Sequence, residues 1–81
     1  MEEHVSLEEI EQLVGLILGY KNVGESDKIV EDLRAESADL LNILATIEEK
    51  YMVTITDSAA AKIFTPADLY YLVNRQLSHP R

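Results

Sequence analysis

The chain has 81 residues, enough for one small domain with a lean core. It contains no cysteine, which rules out a disulfide framework and a thiolate metal site. Fifteen acidic against seven basic residues give a formal charge of −8, a field that repels nucleic-acid phosphates and attracts basic protein patches.

The first residues, Met1-Glu2-Glu3-His4, are acidic and lack the apolar centre of a secretory signal. No apolar run reaches membrane-spanning length; the longest, Leu13 to Leu18, is interrupted by Gly15. These features predict a soluble, cytoplasmic domain over residues 1–81, with tails at about 1–5 and 78–81.

Between Ser6 and Gly19, the apolar residues Leu7, Ile10, Leu13, Val14, Ile17 and Leu18 recur at helical spacing. Ser6 offers a capping hydroxyl, Glu8 and Glu9 suit the positive end of the helix dipole, and Gly19 is a natural stop. Tyr20 to Asp32 is polar and reads as a long loop, with Val23, Ile29, Val30 and Leu33 as its anchors. A loop of this length in so small a domain is packed down or functional.

Ser37 to Tyr51 is the second predicted helix, with Leu40, Leu44, Ile47 and Tyr51 as its inner stripe and Leu41 and Ile43 on its flanks. On local chemistry alone, Ser37 is an ordinary helix cap. Met52 to Thr56 alternates like a strand but is short and lacks a pairing partner, so an extended connection is expected. Asp57 to Ala61 reads as one helical turn capped by Asp57. Thr65-Pro66-Ala67-Asp68 is a strong start signal for a last helix running to about Gln76, with Leu69, Leu72, Val73 and Leu77 inward. The expected architecture is all-α: three main helices, a minor one and a long first loop.

No catalytic constellation is present. His4 and His79 fall in the predicted tails, no glycine-rich phosphate loop or metal-spaced histidine pair occurs, and Glu8-Glu9 and Glu48-Glu49 lie on predicted solvent faces. An enzyme is not expected, and neither is a metal site.

The run Glu31-Asp32-Leu33-Arg34-Ala35-Glu36-Ser37 resembles the acyl carrier protein family's approach to its modified serine, D-L-G-A-D-S-L. Asp39 continues the match, as do Ile47-Glu48-Glu49-Lys50-Tyr51, Val53-Thr54-Ile55, Ala60, Lys62-Ile63 and Thr65 to Asp68. The resemblance covers Asp27 to Val73, and the first helix with its Leu18-Gly19-Tyr20 ending also fits, although the loop after it is slightly short for the family. It implies an acyl-carrier-like four-helix bundle with a covalent 4′-phosphopantetheine arm at Ser37, whose thiol bears acyl intermediates as thioesters.

By the same resemblance, Ile43, Ile47, Ile55, Ala60, Ile63 and Leu69 match positions lining the family's acyl-chain cavity. Glu36, Asp39, Glu48 and Glu49 match acidic positions that meet partner enzymes. Implied partners are a phosphopantetheinyl transferase and acyl-handling enzymes with basic docking patches, met by a monomer that neither binds nucleic acid nor inserts into membranes.

The chain departs from the pattern at Arg34, where glycine is usual, and at Glu36, where aspartate is usual. Ala38 replaces a leucine and Asn42 a commonly acidic residue. These departures point to a specialised carrier in fatty-acid-like or polyketide-like biosynthesis and not to the general carrier. Arg34-Ala35 also stand where a peptidyl carrier has glycines, so the acyl type fits better. The alternative is an unmodified acidic helical module that binds a protein partner.

Overall fold

The computed structural model describes residues 5–78. His4, His79 and the outer parts of both predicted tails lie outside the described residues. Four helices follow in order: α1 (Leu7–Leu18), α2 (Ser37–Tyr51), α3 (Asp57–Ala60) and α4 (Pro66–Leu77). α1 packs against both α2 and α4. None of the described helices is long and apolar enough to cross a membrane.

The ends of the helices follow from local chemistry. The Ser6 hydroxyl accepts from the Glu9 N–H at 3.1 Å, and Gly19 closes α1 in the left-handed region at φ 85°. At α4, the Thr65 Oγ1 accepts from the Asp68 N–H and the Asp68 carboxylate accepts from the Thr65 N–H, a reciprocal box around Pro66. The short α3 is capped by Thr56 and not by Asp57, which becomes its first residue. The Thr56 side chain sits where it can accept from the Ala59 N–H, at 3.2 Å.

Ile10, Val14, Ile43, Ile47, Leu69 and Val73 are completely buried and form the centre of the core. On α2 the centre of the stripe is therefore Ile43-Ile47, one turn apart, and the expectation that Ile43 lies on a flank is corrected. Leu40, Leu44 and Tyr51 pack at its edge, while Leu41 is exposed. The Tyr51 hydroxyl is buried without a partner among the described residues, and burial, with a smaller contribution from Glu9, pushes its pKa up.

The long first loop is packed down. Val23, Ile29 and Leu33 enter the core, but Val30 stays exposed because the turns around it face outward. The Tyr20 hydroxyl donates to the Leu33 carbonyl at 2.9 Å, tying the loop's two ends together. The Ile29 N–H donates to the Phe64 carbonyl at 2.8 Å and the Ala67 N–H to the Glu25 carbonyl at 3.2 Å, joining the loop to the α3–α4 connection and to the first turn of α4.

Two residues expected in tails are held in place. The Val5 N–H donates to Asn74 Oδ1 at 2.8 Å and its carbonyl accepts from Asn74 Nδ2 at 2.9 Å. Ser78 closes α4, its N–H donating to the Asn74 carbonyl at 2.9 Å. Gln76 likewise uses both ends of its amide to hold the backbone of Thr54.

Gly15 lets the loop fold back on α1. Its carbonyl accepts from the N–H groups of both Gly19 and Tyr20, and a Cβ at this position would lie 2.7 Å from the Tyr20 carbonyl oxygen and 3.3 Å from Val23 Cγ2. Backbone cannot yield as a side chain can. Gly15→Ala is expected to cost about 2 kcal/mol through overpacking, despite alanine's better helix propensity. Urea unfolding checks this, and a more stable variant would contradict it.

Candidate functional site

The approach to α2 is built by a chain of constraints. Leu33 and Ala35 are buried, and the Ala35 N–H donates to the Ile29 carbonyl at 3.1 Å. Arg34, between these two anchors, must turn the chain and adopts φ 61°, the left-handed region. That is the reason a glycine is favoured at this point, and a side chain there carries a strain of about 1–2 kcal/mol.

Arg34→Gly is therefore expected to stabilise the domain by about 1 kcal/mol, raising its melting temperature by roughly 4–8 °C. A lower melting temperature would mean that the arginine side chain contributes more than its backbone costs. Met52, at φ 58° after α2 and well exposed, is a second site where glycine should help for the same reason.

The residue that caps α2 is Glu36, in extended conformation at φ −90°, and Ser37 is the first helical residue. The reading of Ser37 as an ordinary cap is thus corrected. The Asp39 carboxylate accepts from the Glu36 N–H at 3.1 Å and holds the entry. Ser37 is exposed, and its hydroxyl makes no hydrogen bond among the described residues. The N–H groups of a first helical turn lack partners within the helix, so the space around this hydroxyl favours an anion.

The candidate docking acids separate into two kinds. Glu36 and Glu49 are exposed, whereas Asp39 and Glu48 are half-buried. Glu48 Oε2 accepts from the Ile55 N–H at 2.8 Å, fastening the connection after α2 back onto the helix. Its predicted place on a solvent face is corrected: the turn at Met52 brings the chain back past it.

Of the candidate cavity residues, Ile43, Ile47, Ile63 and Leu69 belong to one core cluster and Ile55 packs against it. Ala60 and Ile63 also line a cleft of about 310 Å³ between α3 and the first loop, walled by Leu40, Val30 and Phe64 and edged by the Lys28–Glu31 ion pair. Leu40 lies one turn along α2 from Ser37, on the same side of the helix. Sequence spacing did not reveal the loop's share of this cleft, because Lys28 and Val30 sit in irregular backbone with no period to read.

No protein-family model matches the chain. Curated relatives do. An acyl carrier protein of Wolinella succinogenes is 41% identical over 49 residues, 60% of this chain and 64% of that relative. One from Chlamydia felis is 34% identical over 77 residues, 94% of this chain and 95% of that relative. The chain belongs to the acyl carrier protein family. The solution structure of the oxytetracycline acyl carrier protein superposes with a TM-score of 0.77 at 26% identity, over 98% of this chain and 90% of that one. Acyl carrier proteins are non-enzymatic carriers and generally bear a covalent phosphopantetheine.

Proposed function

We propose that Ser37 is the attachment point of a 4′-phosphopantetheine arm and that the chain carries acyl intermediates as thioesters. The observation that carries this reading is the exposed hydroxyl of Ser37 at the first position of α2, unpartnered among the described residues. The residues present fit the group. An outward hydroxyl is accessible to a transferase, and free N–H groups at a helix start suit a phosphodiester. When bound, the arm supplies the thiol that a chain without cysteine lacks.

In loading, the Ser37 oxygen would bond to the pantetheine-bearing phosphorus of coenzyme A, the pyrophosphate bond would break to release adenosine 3′,5′-bisphosphate, and the hydroxyl proton would pass to a base on the transferase. The chain's own part is to present the oxygen and then to shelter the cargo. Leu40, Ala60 and Ile63 offer the nearest apolar shelter, with Ile43, Ile47, Ile55 and Leu69 behind it.

Glu36 and Glu49 are the acids best placed to meet basic patches on the transferase and on acyl-handling enzymes, with Asp39 and Glu48 adding charge while held locally. Arg34, Ala38 and Asn42 change the charge and apolar contacts around Ser37, which supports a specialised pathway with dedicated partners. We place this carrier in the cytoplasm as a monomer.

The test is intact mass after incubation with coenzyme A and a broad-specificity phosphopantetheinyl transferase. One added phosphopantetheinyl group is expected, and trypsin should confine it to the peptide from Ala35 to Lys50. No gain with a panel of transferases would instead favour an unmodified module that binds a partner through its acidic surface.

A further inference from the structure

Two of the chain's few cations meet in one place. Lys62, after α3, and Arg75, in the last turn of α4, line a cleft of about 340 Å³ between those helices. In a chain of net charge −8, cations are readily neutralised by neighbours, yet among the described residues neither lies within ion-pair distance of a carboxylate. Asp68 also borders the cleft, but its Oδ2 is engaged by the N–H groups of Phe64 and Thr65 at 2.8 and 3.0 Å. The Ser58 hydroxyl lies 3.3 Å from Thr56 Oγ1.

The rest of the lining is apolar or aromatic. Ile63 and Leu72 contribute aliphatic surface, and Tyr71, two-thirds exposed, adds an aromatic ring. A pocket of this size, with apolar walls beside convergent polar and charged groups, suits a small ligand better than a protein segment. Unpaired cations beside an apolar surface select a short carbon body with an anionic end, and a guanidinium fork matches a carboxylate in particular.

Arg75 alone would be explained by its favourable position at the negative end of α4. That account leaves out Lys62, which lies on a different element, and the shared cleft.

Ile63 is a wall that this cleft shares with the site already described. It lines both this cationic cleft and the one beside Leu40, near Ser37. We propose that the α3–α4 cleft receives the far end of a carried acyl group that terminates in a carboxylate. This rests on Ser37 being the attachment point. It names the substrate class as acyl groups with a second acidic end, not plain fatty chains.

The experiment compares the loaded protein bearing hexanoyl with the same protein bearing adipoyl, which has equal carbon count and a terminal carboxylate. Amide spectra of nitrogen-15-labelled protein are expected to shift at Lys62, Tyr71 and Arg75 for adipoyl and not for hexanoyl. In the double variant Lys62→Gln with Arg75→Gln, those shifts should be lost while the remaining spectrum keeps its dispersion. High salt should shrink them.

Identical spectra for the two cargoes would overturn the proposal. Free adipate shifting the same amides of the unloaded protein with Kd below about 1 mM would reassign the cleft to a free acid, overturning the tethered source. Failure of any transferase to load Ser37 would remove the carrier reading and this proposal together, a result told apart by mass before any spectrum is recorded.

Discussion

Ser37→Ala is expected to abolish loading completely while leaving the unfolding free energy within about 0.5 kcal/mol of the parent. The two halves of that result come from one arrangement. The Ser37 hydroxyl holds nothing among the described residues, since the entry to α2 is capped by Glu36 and fastened by Asp39. Alanine is also a better helix former than serine, which offsets any small loss of solvation. A serine that capped the helix would cost about 1 kcal/mol on removal, so stability separates the two roles. The peptide from Ala35 to Lys50 has one other hydroxyl, that of Thr46, which lies within 3.4 Å of Asn42 Oδ1. Mass retained after Ser37→Ala would therefore point to Thr46 and sink the assignment.

Ile43→Ala carries the largest expected loss of stability, about 3 kcal/mol. Ile43 is fully buried in the middle of α2 among residues that are themselves completely enclosed. Removing its outer carbons forfeits their transfer from water and leaves a void that packed neighbours close only in part. A domain of this size has roughly 5–10 kcal/mol in hand, so the variant should remain folded with a clearly lower urea midpoint and an unchanged slope. A loss below about 1 kcal/mol would mean the core collapses into the space readily. If this part of the core shelters cargo, attaching a medium-length acyl chain should return some of the lost stability to the variant and less to the parent.

Much of the fold was legible because the signals that set it are local. Ser6, Gly19 and Thr65-Pro66 fix helix ends through their own side chains or backbone freedom, and the structure places α1 and α4 within a residue of the expected bounds. The start of α2 was also legible, but its cap was not. Glu36 is a weak capping residue by type, and its role depends on Asp39 and on the anchoring of Ala35 by the distant Ile29 carbonyl.

The resemblance identified Ser37, and the structure gave a physical reason for the glycine its family prefers three residues earlier. Glu48 escaped the sequence reading because its partner arrives seven residues later, after a turn through Met52. Lys62 and Arg75 escaped it for a similar reason: no periodicity links two positions thirteen apart on different elements.

The seam between the first loop and the α3–α4 connection has a consequence for how the molecule breathes. Two backbone hydrogen bonds, from Ile29 to Phe64 and from Ala67 to Glu25, are joined there by the apolar walls of the cleft beside Leu40. Each such bond contributes on the order of 1 kcal/mol, far less than the central core provides. Parting the seam also uncovers Ile29, which is buried in the core, but it leaves the packing of α1 on α2 and on the rest of α4 in place. In amide hydrogen exchange, Ile29 and Ala67 should lose protection before the interior of α2. Their exchange rates would then time the opening of the seam itself.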